Sequence, residues 1–249
     1  MDTMKIRNLA ILFLLVLTAG CAGHKVSAGK LSDEQIYNRA KEYFDEGKYS
    51  KTIETLNELR YSPSVWADDA HLLTAKAYIS SGQPSLAATE LKWLINQYSQ
   101  SDLVEEASYL LGEAYRLASP RAELDQEYTK KAIDAYNDFL DTYPMSSFVD
   151  SAKAGIKLCR EKLAHKQYLS AELYYKMKQD SAAIVYIDDI RTKYGDTNWR
   201  LWADYLEAEI KFRQKNIDRA KLLLRGILAK NPDEKLRKKT EKLLAKCSD

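Results

Sequence analysis

The 249-residue chain carries 38 basic and 36 acidic side chains, a near balance that gives no reason to expect nucleic acid as a partner. Only five prolines and nine glycines interrupt a sequence dominated by Ala, Leu, Lys and Glu, which predicts an all-α protein. Tyrosine is unusually frequent, at 17.

In chain order, Lys5 and Arg7 precede an unbroken apolar run, Leu9 to Leu17. A bilayer-crossing helix takes about 20 residues, so this run is too short, and its position and flanking charge predict a signal peptide over 1–20. It leads into Leu17-Thr18-Ala19-Gly20-Cys21, which resembles a lipobox, although Thr18 stands where such boxes usually have leucine. The expectation is a lipoprotein cleaved before Cys21, whose thiol takes the lipid. No cofactor beyond that covalent lipid is expected. Two or more acyl chains anchor stably, at about 0.8 kcal/mol per buried methylene. Ala22, rather than Asp, follows the cysteine, which predicts an anchor on the periplasmic face of the outer membrane. Residues 21–31 read as a lipidated tether, and ten residues reach roughly 35 Å at most.

Ser32 starts a capping box with Gln35, three residues on, and opens the folded part. Helix–turn–helix units follow. The first uses Ile36, Ala40 and Tyr43, a turn at Gly47, then Thr52, Leu56 and Leu59. The second uses His71, Ala75 and Tyr78, a turn at Gly82, then Ala87, Leu91 and Leu94. The third uses Gly112 and Tyr115, then Ala132, Tyr136, Phe139 and the pair Tyr143-Pro144. The fourth uses Ala171 and Tyr174, then Ala183, Ile187 and Ile190. The fifth uses Ala208 and Phe212, then Ala220, Leu224 and Ile227. The offset from Gly47 to Gly82 is close to the period of a tetratricopeptide repeat. Small residues let the paired helices approach, large ones fill the space between them, and Pro144 and Pro232 stop second helices. The expected fold is a tetratricopeptide-repeat superhelix of about five units, in which no unit buries its apolar face alone.

The middle departs from the period. An insertion runs from Arg116 to Lys131. A long amphipathic helix is expected from Ser147 to His165, capped by Ser147 and Asp150 and running almost directly into the next unit. Its stripe, Ile156, Cys159 and Leu163, predicts a buried Cys159 thiol; Cys247 is expected to fray, and their pairing stays open.

The stretch Leu124-Asp125-Gln126-Glu127-Tyr128-Thr129-Lys130-Lys131-Ala132 resembles the BamD family of outer-membrane assembly lipoproteins. So do Asp138-Phe139, Tyr143-Pro144, Leu163-Ala164 and Glu172-Leu173-Tyr174-Tyr175, in order and spacing. The departures are Gln179-Asp180-Ser181, where the family has Gly and an aromatic, and the unit ends Tyr61-Ser62-Pro63 and Tyr98-Ser99. The resemblance implies a non-enzymatic scaffold. Its N-terminal repeats, 32–144, would bind unfolded outer-membrane proteins. The long helix and C-terminal repeats, 145–249, would bind the barrel-forming subunit with its periplasmic domains, beside other assembly lipoproteins. A lipoprotein of another envelope system, a secretin pilot or a peptidoglycan-synthesis coordinator, remains the alternative.

Catalytic and metal motifs are not expected. The three histidines, His24, His71 and His165, lack partners at metal-ligand spacing, and no phosphate-binding or nucleophile-elbow motif occurs. Adjacent carboxylates such as Asp68-Asp69 diverge by about 100° on a helix and read as solvated faces or caps. For substrate binding the candidates are Tyr37, Arg60, Tyr61 and Trp66, aromatics that offer rigid contact area with a cation (Arg60, or Lys41) for a free carboxylate. For partner binding they are Trp199, Arg200, Trp202 and Arg213, the residue types of interface anchors. The stretch Lys230 to Lys246, seven basic and three acidic residues, reads as the polar face of a capping helix.

Overall fold

The computed structural model describes residues 31–248. The signal peptide, Cys21 and the tether up to residue 30 lie outside the described residues. Ser32 opens the fold through its capping box: its hydroxyl accepts from the Gln35 amide at 3.3 Å, and the Gln35 side chain accepts from the Ser32 amide at 2.9 Å.

Eleven helices, and no strand, follow among the described residues. Helices α1 (Asp33–Asp45) and α2 (Tyr49–Arg60) form the first unit, α3 (Ala67–Ser80) and α4 (Pro84–Gln97) the second, and α5 (Val104–Ala118) and α6 (Glu127–Thr142) the third. The long α7 (Val149–Lys176) pairs with α8 (Asp180–Lys193), α9 (Trp199–Arg213) pairs with α10 (Ile217–Ala229), and α11 (Glu234–Lys246) closes the array. The backbones of odd-numbered helices approach one another in succession, whereas among the described residues those of the even-numbered helices do not, and α2 and α4 meet through the Arg60 and Glu90 side chains. The first helices therefore form a continuous row, and grooves separate the second helices.

The core repeats residue by residue. Each second helix buries one small side chain, then a large one four positions on and another three beyond that. The sets are Thr52, Leu56 and Leu59; Ala87, Leu91 and Leu94; Ala132, Tyr136 and Phe139; Ala183, Ile187 and Ile190; and Ala220, Leu224 and Ile227. None of the fifteen is more than 1% exposed. Facing them, Ala40, Ala75, Ala171 and Ala208 are fully buried on the first helices. Spacings of four and three hold one helix face, so a single stripe meets the partner in every unit.

Four of the intra-unit turns share one geometry. The residues Gly47, Gly82, Lys178 and Lys215 all take positive φ, between 60° and 75°. In each, the next amide bonds back to a carbonyl five residues earlier, as Lys48 does to Tyr43 and Gln179 to Tyr174. This is the Schellman closure of a helix end. Two of the four turns are built on lysine, and a left-handed side-chain-bearing residue costs about 1 kcal/mol. Replacing Lys178 or Lys215 by glycine should therefore raise the thermal midpoint measured by circular dichroism. A lowered midpoint would show that the lysine side chains hold these turns.

The central helix differs from the expectation. It runs unbroken for 28 residues to Lys176 instead of ending near His165, because Lys166 to Ser170 contain no helix breaker. Its first half packs Ala152, Ile156 and Cys159 against Tyr136 and Phe139, and its second half packs Tyr168 and Ala171 against Ile187 and Ile190. One rigid element thus completes the third unit and begins the fourth. Ser146, not Ser147, supports its start, accepting from the Phe148 amide at 3.2 Å; Asp150 lies in the first turn. Both thiols are free. Cys159 is buried, and desolvation pushes its thiol up to about 11. Cys247 is not frayed: at 6% exposure it packs with Leu236 and Leu243 in the last core cluster.

Candidate functional site

The four N-terminal candidates form two pairs. Tyr37 stacks on Trp66 at 4.9 Å, and both rest on Ile36, Ala40, Leu56 and Leu59. Burial and the carboxylates of Asp69, Asp68 and Glu106 push the Tyr37 phenol up. Arg60 and Tyr61 form the other pair, with the guanidinium 5.1 Å from the ring centre. Among the described residues no ring contact joins the two pairs.

Arg60 is only 6% exposed, and its guanidinium already holds Glu90 and donates to Asn57 at 3.0 Å. His71 completes the group, with Nδ1 2.7 Å from the Glu90 carboxylate and Nε2 3.2 Å from the Arg60 carbonyl. Burial pushes the Glu90 carboxyl up, but its bonds to His71 and Arg60 outweigh that and hold it below its ordinary value. This buried cluster, absent from the sequence reading, ties α2, α3 and α4 together. Tyr61 stays 67% exposed and, with Trp93 and Tyr98, rims a pocket of about 350 Å³.

The C-terminal candidates are also engaged within the chain. Trp199 stacks on His165 at 4.0 Å, and Trp202 stands edge-on to Tyr168 and Tyr205. Lys235 and Lys239 of α11 lie 5.5 and 5.4 Å from the Trp202 ring centre. This aromatic seam joins α7, α9 and α11, and desolvation lowers the His165 pKa. Arg200 pairs with Asp204 at 3.3 Å, beside Arg191, which donates to Asp204 and pairs with Glu207. At the far end of α9, Arg213 lies 4.2 Å from the Tyr175 ring centre and pairs with Asp180.

An apolar groove lies between α4 and α6, with α5 as its floor, and holds about 440 Å³. Ile95, Val104, Leu111, Tyr115, Phe139 and Tyr143 line it, while Lys92, Lys131, Asp134 and Asp138 mark its rim. No single helix reveals the groove, because its lining comes from three helices and each alone reads as repeat core. Beside it, the insertion folds as the loop 119–126. Gln126 is 3% exposed and ties the loop by donating to the Arg121 and Leu124 carbonyls at 2.8 and 3.1 Å. From α7, Lys162 donates to the Ser119 hydroxyl at 2.7 Å and Lys166 to the Leu124 carbonyl at 2.7 Å. The loop 119–126 thus fastens the third unit to the long helix.

The family model described as YfiO, outer membrane lipoprotein, matches residues 30–220. The chain belongs to this BamD family. An outer membrane protein assembly factor BamD from Caulobacter vibrioides is 25% identical over 183 residues, covering 71% of this chain and 60% of that protein. This chain therefore spans less than two thirds of that relative's length. A BamD from Rickettsia prowazekii is 24% identical over 199 residues, covering 78% of this chain and 79% of that protein. A solved structure, the TPR2AB domain of yeast Sti1, overlays 87% of this chain and 98% of its own at 13% identity and a TM-score of 0.40. The BamD family match takes in the helices from α1 to α9 and stops at Ala220, so most of α10 and all of α11 lie beyond it. None of the described helices is long and apolar enough to cross a membrane.

Proposed function

We propose that this chain is a non-enzymatic scaffold of outer-membrane protein assembly. The observation that carries the reading is the BamD family match from residue 30 to residue 220, which runs through the first four repeat units and the first helix of the fifth. On this reading residues 32–144 hold unfolded outer-membrane proteins. Residues 145–249 hold the barrel-forming subunit, with other assembly lipoproteins alongside, and lipid on Cys21 keeps the chain at the periplasmic face of the outer membrane.

The groove over α5 suits the unfolded chain. Its aromatic and aliphatic floor takes apolar side chains of an extended segment, and charges of both signs along the rim meet its polar groups. Arg60, committed to Glu90, acts in this picture by holding Tyr61 in place rather than by meeting a substrate carboxylate. Trp199 and Trp202 shape the second half, where their edges and the neighbouring cations remain for a partner.

A photo-crosslinking residue in place of Ser108, on the groove floor, should capture unfolded outer-membrane proteins in cells. The same residue in place of the exposed Glu54 of α2 should not. Depletion of the chain should lower the level of folded outer-membrane barrels. Unchanged barrels on depletion, with capture of a secretin or a peptidoglycan synthase instead, would overturn the reading in favour of the other envelope systems.

A further inference from the structure

The overall charge balance hides a segregation. Residues 32–144 hold 11 basic and 20 acidic side chains, whereas residues 145–249 hold 23 and 15. The positive excess concentrates at the end: from Ile217 to Ser248 there are ten basic residues and four acidic ones. Helix α11 buries Leu236, Thr240 and Leu243 against the array, with Cys247 just past its end. Around the rest of the helix Lys235, Arg237, Lys238, Lys239, Lys242 and Lys246 are all exposed, with Lys235 and Lys239 on the edge beside Trp202. On that helix only Glu234 and Glu241 oppose them, and Glu234 is already paired with Lys238.

The composition of this face selects its partner. Protein interfaces are depleted in lysine and organised around aromatic, apolar or arginine anchors. Helix α11 exposes no large apolar side chain, and five of its six outward cations are lysines. Lysine is a compact, strongly hydrated charge on a flexible stem, suited to headgroups that move, whereas arginine suits a fixed bidentate contact. We propose that the exposed cationic face of α11 docks on the headgroups of phospholipids that carry a net negative charge. With the N-terminal lipid expected on Cys21, this face gives the array a second contact with the same bilayer at its C-terminal end. This inference is independent of the scaffold reading, since α11 lies beyond the family match.

The test uses the full chain reconstituted on vesicles of phosphatidylcholine alone or mixed with phosphatidylglycerol. An environment-sensitive fluorophore is placed through Ala245→Cys on α11 or, as control, Glu54→Cys on α2, and a quencher is carried on the lipid headgroup. Quenching at position 245 is expected only with phosphatidylglycerol, is lost at high salt, and is absent at position 54. The triple charge reversal Lys238→Glu, Lys242→Glu and Lys246→Glu should abolish it while circular dichroism stays unchanged; the corresponding glutamine triple should weaken it. Equal quenching on neutral vesicles, or insensitivity to salt, overturns the proposal. Absence of quenching on phosphatidylglycerol also overturns it and assigns the face to an acidic protein surface.

Discussion

Tyr136→Ala is expected to destabilise the array by about 4 kcal/mol, the cost of emptying a fully buried aromatic site. The ring is 0% exposed and lies between two glycines. A methyl group built on Gly112 of α5 would sit 2.5 Å from its Cδ1, and one on Gly155 of α7 would sit 2.5 Å from its Cζ. Its hydroxyl donates to Glu113, which in turn holds Arg116. Burial first, then the bond to Glu113, pushes the Tyr136 phenol far above its ordinary value. Gly112→Ala or Gly155→Ala should each cost about 2 kcal/mol through overpacking. In a Tyr136→Ala background the sign should reverse. The space is then open, and alanine is favoured over glycine in a helix by about 1 kcal/mol. Urea denaturation of the four members of one cycle reads this directly. If Gly155→Ala costs the same in both backgrounds, the ring is not what requires the glycine.

That wedge also shows what the sequence made readable. The frame of Thr52, Ala87, Ala132, Ala183 and Ala220 with their large partners was visible because each unit repeats one local spacing. Tyr136 and Phe139 could be placed in that frame as the third unit's pair. Their need for Gly155 could not, because Gly155 belongs to the following helix, outside the period. A glycine within a helical pattern was the available signal, since it weakens the helix unless packing demands it. The turns at Lys178 and Lys215 were hidden in the same way: their left-handed geometry is set by the unit around them, and lysine carries no turn signal. The contacts of the candidate binding residues within the chain were not legible in the same way. Residue type made Arg60 a cation for a carboxylate and Arg200 an interface anchor, and it did not show that Arg60 reaches Glu90 across 30 positions of sequence or that Arg200 joins the cluster around Asp204. Periodicity predicts which face of a helix is apolar. It does not predict which charges meet between helices.

Arg191→Ala should be the most damaging change at the junction of the last two units, at about 3 kcal/mol, because removing one partner of a buried ion cluster leaves the remaining charges unpaired. Arg191 donates to Asp204 from Nε at 2.9 Å and from Nη2 at 2.6 Å, and it also pairs with Glu207 and, at 3.0 Å, with Asp188. The Asp204 and Glu207 side chains are 10% and 7% exposed, so water does little for them once the guanidinium is gone. Arg200 at 3.3 Å from Asp204 and Arg219 at 3.9 Å from Glu207 remain, which places the cost at the lower end of the range for such clusters. Glu207→Ala alone should also destabilise, and the double variant should lose much less than the sum, since these groups act as one network. The damage should be local, because each repeat is held mainly by its neighbours. Hydrogen exchange should quicken in α9, α10 and α11 and stay unchanged from α1 to α6. Uniform quickening along the chain, or additive losses in the double variant, would mean that this cluster is not the clamp between the fourth and fifth units.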